Sequence, residues 1–144
     1  MTATRKATVG GELPWIVVGD VDHKRLSGLA TVAMERMPEV ATRLLDEMER
    51  AEVVGHERLP HNVVAMGSIV EFMDHGDKPR RVQLVYPGEA DIAQGKVSVM
   101  TPIGAALIGL STGQSITWLG LDGRERKLTV LAVEPASDPD PVGA

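Results

Sequence analysis

The 144-residue chain has no cysteine, only four aromatic residues (Trp15, Phe72, Tyr86 and Trp118) and no long apolar run. Each absence closes a class of function. Without cysteine there are no disulfides, thiolate metal ligands or cysteine nucleophiles, and a reducing cytoplasm is compatible with the chain. Uninterrupted apolar stretches such as Ala105 to Ile108 fall far short of the roughly 20 residues that a membrane-spanning helix needs. Met1 to Pro14 is polar and Gly-rich, with no apolar segment of the kind that marks a secretory signal. Positive charge is not in excess either. Fifteen Lys and Arg stand against twenty Asp and Glu, a net charge of −5, which argues against coating nucleic acid through a global positive field. The balance is even, with 8 basic and 10 acidic residues in 1–60 and 7 and 8 in 61–134, so neither half reads as a polyanion binder.

What remains is enough for a core: 43% of residues are apolar, in a length that fits one ordinary domain with an appended element. Residues 1–14 and 135–144 are rich in Gly, Pro, Thr, Ser and Asp, lack periodicity and are expected to be disordered. Between them, Leu26, Leu29, Ala30 and Ala33 recur at one helix face, which predicts a helix from about Asp22 to Ala33 capped by Asp20 or Asp22. Pro38 breaks it and opens a second helix running to about Glu52, with the stripe Val40, Ala41, Leu44, Leu45, Met48 and Ala51 and with Gly55 as its C-terminal cap. Two amphipathic helices joined so tightly must run antiparallel, giving a helical hairpin over 15–58 that projects only about 20 Å.

Over 59–134 the period changes to two. Val63 to Ala65, Ser68 to Met73, Arg81 to Tyr86, Val97 to Met100, Ser115 to Leu119 and Lys127 to Glu134 read as strands. Turns are expected at Asp74-His75-Gly76-Asp77, Pro87-Gly88 and Asp122-Gly123. Thr101 suits an N-cap, Pro102 a first turn and Gly109 a terminator, so Pro102 to Ile108 is predicted to be a short helix. The fold class is α+β: a short N-terminal antiparallel helical hairpin, then a small antiparallel sheet crossed by one short helix.

Few residues point to chemistry. The histidines His23, His56, His61 and His75 lack metal-ligand spacing, the serines include no nucleophile elbow, and no glycine run has the form of a phosphate loop. Glu35 and Glu39 flank the hairpin tip, where paired acids can hold a cation, but Arg36, Met37 and Pro38 separate them. Lys78, Arg80 and Arg81, with Arg124, Arg126 and Lys127, form one basic patch if their two hairpins are neighbours. Charges beside turns are more often the solvated face of a sheet. The most informative stretch is Thr101 to Gly109. Its small residues at 104, 105 and 106 allow another surface to approach closely, or simply seat the helix on its own sheet.

The run Val97-Ser98-Val99-Met100-Thr101-Pro102-Ile103-Gly104-Ala105-Ala106-Leu107-Ile108-Gly109-Leu110, followed by Gly113-Gln114-Ser115-Ile116, resembles the signature of the C-terminal domain of Gre-type transcript-cleavage factors. The resemblance is closer still to the Rnk family of regulators of nucleoside diphosphate kinase. Leu59-Pro60-His61-Asn62-Val63-Val64, Leu84-Val85-Tyr86-Pro87 and Asp20-x-Asp22 support it, so that it covers about Ile16 to Glu134.

The resemblance implies an FKBP-like domain preceded by a short antiparallel coiled coil. Gre-type factors dock this domain on the rim of the RNA polymerase secondary channel. Their coiled coil enters the channel, where two tip acids help hold a catalytic magnesium ion. Rnk-like proteins keep the docking domain with a shortened coiled coil. The present hairpin is short and lacks an adjacent acidic pair, and a prolyl isomerase pocket is built from aromatics that this chain has few of. The expectation is a non-enzymatic, cytoplasmic, monomeric transcription regulator that binds RNA polymerase. It is expected to need no cofactor or metal, and to touch nucleic acid only within the transcription complex. The docking residues implied by the matching motif are Thr101, Pro102, Ile103, Gly104, Ala106 and Leu107. Two alternatives stay open: weak transcript cleavage through Glu35 and Glu39, and direct modulation of nucleoside diphosphate kinase.

Overall fold

A computed structural model describes residues 13–74, 78–119 and 122–136. Of the ends expected to be disordered, 1–14 and 135–144, all but Leu13, Pro14, Pro135 and Ala136 lie outside these residues. In chain order the elements are β1 (Val17–Gly19), α1 (Asp20–Ala33), α2 (Pro38–Arg50), β2 (Glu52–Val54), β3 (Ile69–Asp74), β4 (Pro79–Val85), β5 (Lys96–Ser98), α3 (Pro102–Leu107), β6 (Ser115–Leu119) and β7 (Glu125–Glu134).

The helical hairpin forms where the apolar spacing places it. α1 buries Leu26 and Ala30 against α2, which buries Ala41, Leu44 and Met48. Arg36 N and Met37 N donate to Ala33 O to close the tip, and Pro38, which needs no N–H partner, occupies the first position of α2. Helices of 14 and 13 residues give an arm of about 20 Å.

Both expected caps are corrected. Gly19, not an aspartate, is the N-cap of α1, and no side chain caps it. Asp20 and Asp22 lie in the first turn and accept instead from His56 N and Met66 N, each at 3.1 Å, which ties the base of the hairpin to the chain beyond it. Gly55 comes too late to cap α2: Ala51 already turns to extended geometry (φ −72°, ψ 146°) and feeds β2. β2 pairs in parallel with β1, Val18 opposite Val53. Strands of three residues are too short for a period to reveal, and neither was expected.

The five-stranded sheet has the order β5-β4-β3-β7-β6. It is antiparallel except at one edge, where β5 runs parallel to β4 with Leu84 opposite Val97. The expected antiparallel sheet is therefore present, with this one parallel pairing added at its edge. The link from Tyr86 to Gly95 doubles back through two short 3-10 turns so that β5 begins opposite Gln83 of β4. Val63 to Ala65 is no strand beyond one bridge, Val63 to Ser111, because Val64 spends its N–H on Leu110 O and its carbonyl on Gly109 N. The turns at Pro87-Gly88 and Asp122-Gly123 are present, the latter with Gly123 at φ +82°. The turn expected at 74–77 falls outside the described residues from His75 on.

α3 is capped as expected. Thr101 Oγ1 accepts from Gly104 N at 3.1 Å and donates to Ser98 O at 2.7 Å, and Gly109, at φ +85°, turns the chain away. One core joins the parts: Phe72, Leu84, Leu128 and Val130 of the sheet pack with Leu107 and Leu110 near α3 and with Leu26, Leu44 and Met48 of the hairpin. No helix among the described residues is long and apolar enough to cross a membrane.

Candidate partner-docking site

The small residues of α3 seat it on its own sheet. A Cβ added at Gly104 would lie 2.2 Å from Ser98 O and 2.8 Å from Val99 Cα, both backbone atoms that cannot swing aside. Gly104, Ala105, Ala106 and Leu107 are all buried. Three of the six expected docking residues, Gly104, Ala106 and Leu107, are thus buried against the chain's own core. A helix of six residues lying flat on a sheet has only one free side. Its N-terminal end, Thr101, Pro102 and Ile103, remains half-buried at the surface.

Pro102 and Ile103 form one wall of a cleft of about 410 Å³, whose other lining residues are Asp74, Arg80, Trp118, Asp122 and Arg126. Strand alternation selects them. On β4, Arg80 shares a face with Val82 and Leu84 while Arg81 points the other way. On β7, Arg126 shares a face with Leu128 and Val130 while Lys127 points away. Pairing β3 with both β4 and β7 then brings the two arginines to one end of the sheet.

Each cleft arginine is held by an aspartate. Arg80 Nη1 lies 3.3 Å from Asp74 Oδ2, and its guanidinium sits over the Phe72 ring, 5.4 Å from the centroid. Arg126 Nη2 lies 3.0 Å from Asp122 Oδ2, and Asp122 Oδ1 accepts from Arg124 N at 3.0 Å. The Arg124 N–H above all, and then the Arg126 charge, hold the Asp122 carboxyl below the ordinary carboxylate range. The indole Nε1 of Trp118 has no hydrogen-bond partner among the described residues.

The expected six-residue basic patch thus resolves into two cleft arginines. Arg81 pairs with Glu134 at 3.2 Å on the opposite face, and Lys78, Arg124 and Lys127 are exposed outside the cleft. Glu35 and Glu39 are exposed on either side of the hairpin turn. Among the described residues no three His, Asp or Glu side chains converge as a metal site would require. His23 bridges the two helices, its Nε2 lying 3.0 Å from Met48 O.

Sequence reasoning missed the aspartates and Trp118 as parts of the cleft. Their signal was faint: Asp74 and Asp122 sit at turn borders where acids are common, and Trp118 alternates with buried Ile116. It also missed Glu47, which is 4% exposed within the apolar stripe of α2. Arg50 Nε donates to it at 2.8 Å and Arg43 lies at 4.0 Å. Burial nevertheless outweighs both arginines and raises its carboxyl above the ordinary range. Arg50 in turn grips Pro14 O, fixing the segment that enters β1.

Residues 59–135 match the family described as transcription elongation factor GreA/GreB, C-terminal, and residues 14–54 match the Rnk N-terminus. The chain is 38% identical over 122 residues to the regulator of nucleoside diphosphate kinase of Escherichia coli K12, spanning 84% of this chain and 90% of that protein. To transcription elongation factor GreA of Thermodesulfovibrio yellowstonii it is 36% identical over 72 residues, 49% of this chain and 46% of that one. Among solved structures, a prokaryotic transcription elongation factor GreA/GreB from Nitrosomonas europaea superposes with a TM-score of 0.68 at 31% identity, over 83% of this chain and 99% of that one. With an Rnk-type hairpin joined to a GreA/GreB-type, FKBP-like domain, the chain belongs to the Rnk family of transcription elongation factor-like regulators.

Proposed function

We propose that this protein is a non-catalytic regulator that binds RNA polymerase near its secondary channel through the α3 edge of its sheet domain. The observation that supports this reading is the outward presentation of Thr101, Pro102 and Ile103 beside an open cleft, at the stretch where the sequence resembles the Gre-type docking motif. The side chains beneath them fix α3 rigidly, so a partner meets a preformed surface and little ordering entropy is lost on contact. The arm of about 20 Å and its separated acids, Glu35 and Glu39, support the absence of cleavage activity.

The test is affinity for purified bacterial core RNA polymerase. Ile103→Asp, in a variant whose melting temperature is retained, is expected to abolish binding, and Ile103→Ala to weaken it. Failure of the wild type to bind, or equal binding by Ile103→Asp, overturns the proposal. The name of the Escherichia coli relative supports a second reading, direct contact with nucleoside diphosphate kinase. Capture of that kinase in place of polymerase by the purified chain would put the second reading first.

A further inference from the structure

We infer that the cleft beside α3 reads an acidic side chain of the polymerase, with Arg80 and Arg126 as paired charge readers and Pro102 and Ile103 as the apolar wall. The inference rests on the docking reading above and names the chemistry of its partner.

The two aspartates orient the arginines without exhausting them. A guanidinium has five N–H donors in a fixed fork, and the described ion pair of each arginine uses a single terminal nitrogen. Asp122 has both oxygens engaged, one by Arg126 and one by the Arg124 N–H, so it fixes where Arg126 points. Arg80 is braced from a second direction by the Phe72 ring. Both side chains stay accessible, at 52% and 36% exposure. An arginine already held in one rotamer loses less entropy when a carboxylate arrives, and its fork matches a carboxylate in bidentate geometry.

The same cleft is poorly suited to nucleic acid. Its two arginines are balanced by Asp74 and Asp122, so a phosphate backbone would bring a run of negative charge against two carboxylates, on a chain of net charge −5. A single carboxylate brings one negative charge where a backbone brings several, and the two arginines can offset one. Pro102, Ile103 and Trp118 supply an apolar wall for the aliphatic or aromatic residues flanking it, and Trp with Arg is the composition of protein–protein hot spots.

The experiment titrates core RNA polymerase against the full chain and against Arg80→Gln, Arg126→Gln, the double variant and Ile103→Ala, at low and high salt. Each single Gln variant is expected to bind roughly tenfold more weakly, the loss typical of removing one partner of an interfacial charge pair. The double variant is expected to lose most of the salt dependence. Arg126→Lys keeps the charge without the fork, and is expected to retain the salt dependence while regaining only part of the affinity. Gln variants that bind like the wild type, while Ile103→Ala binds weakly, overturn the charge-reading role and leave the docking reading standing. No binding by the wild type overturns the docking reading itself. A single-stranded RNA oligonucleotide serves as the rival probe: if the Gln variants lose affinity for it and not for polymerase, the ligand is nucleic acid and the inference fails.

Discussion

Gly104 sets how closely α3 lies on the sheet, and no larger residue fits without moving the backbone of Ser98 or Val99. Gly104→Ala is therefore expected to cost about 1–3 kcal/mol through overpacking, although alanine is the better helix former. A lowered urea midpoint with an unchanged slope is the expected signature; an unchanged midpoint would show that α3 can lift without cost. Glu47 makes the opposite kind of contribution, a buried charge kept beside Arg43 and Arg50. Because burial raises its folded-state pKa above the ordinary 4.5, the folded protein takes up this proton at a higher pH than the unfolded chain does. Its contribution to stability is therefore fullest below 4.5 and is lost as pH rises through the raised folded value. Glu47→Gln does not titrate, so the melting temperature of the wild type relative to this variant is expected to climb as pH falls from 7 towards 4.5. A difference that stays flat over that range would show that Glu47 is not desolvated.

At the scale of elements, what was legible depended on how many residues expressed a pattern. The hairpin helices repeat their apolar stripe over two turns in α1 and three in α2 and were legible to within two residues, while β6 opens and closes where expected. α3 is short, yet Thr101, Pro102 and Gly109 punctuate it so strongly that its start was legible and its end fell one residue from the expected Ile108. β1 and β2 stayed hidden because their stability comes from each other across 32 intervening residues of helix and turn, a contact no local window contains. The site divided in the same way. Which residues belong to α3 was readable, but which side faces out depends on the seat at Ser98 and Val99. The tip of the hairpin shows the limit from the other side, since Glu35 and Glu39 are both present and both exposed but do not converge with a third ligand. Replacing both by Ala is expected to leave the melting temperature and the affinity for core polymerase unchanged. Loss of a transcript-cleavage signal in the double variant, measured on backtracked complexes, would instead make the tip an active element.

For the whole molecule, the decisive proportion is between the arm and the sheet domain. The chain spans 90% of its Escherichia coli relative but only 46% of a GreA, while its sheet domain matches the GreA/GreB C-terminal family along its full extent. Under the proposed function, a chain with a GreA/GreB-type sheet domain and an arm of only about 20 Å would occupy a polymerase surface that GreA also uses. Under the proposed function this makes it a competitor: two ligands for one surface exclude each other in proportion to their concentrations over their dissociation constants. Added to backtracked complexes with GreA present, the chain is expected to lower cleavage in a dose-dependent way, and added alone to produce none. Raising GreA should restore cleavage fully, because the two exchange on one site, and Ile103→Asp should remove the inhibition at every dose. Inhibition that excess GreA cannot relieve would place the chain on a different surface of the polymerase, and cleavage that rises on its addition would return catalysis to the hairpin.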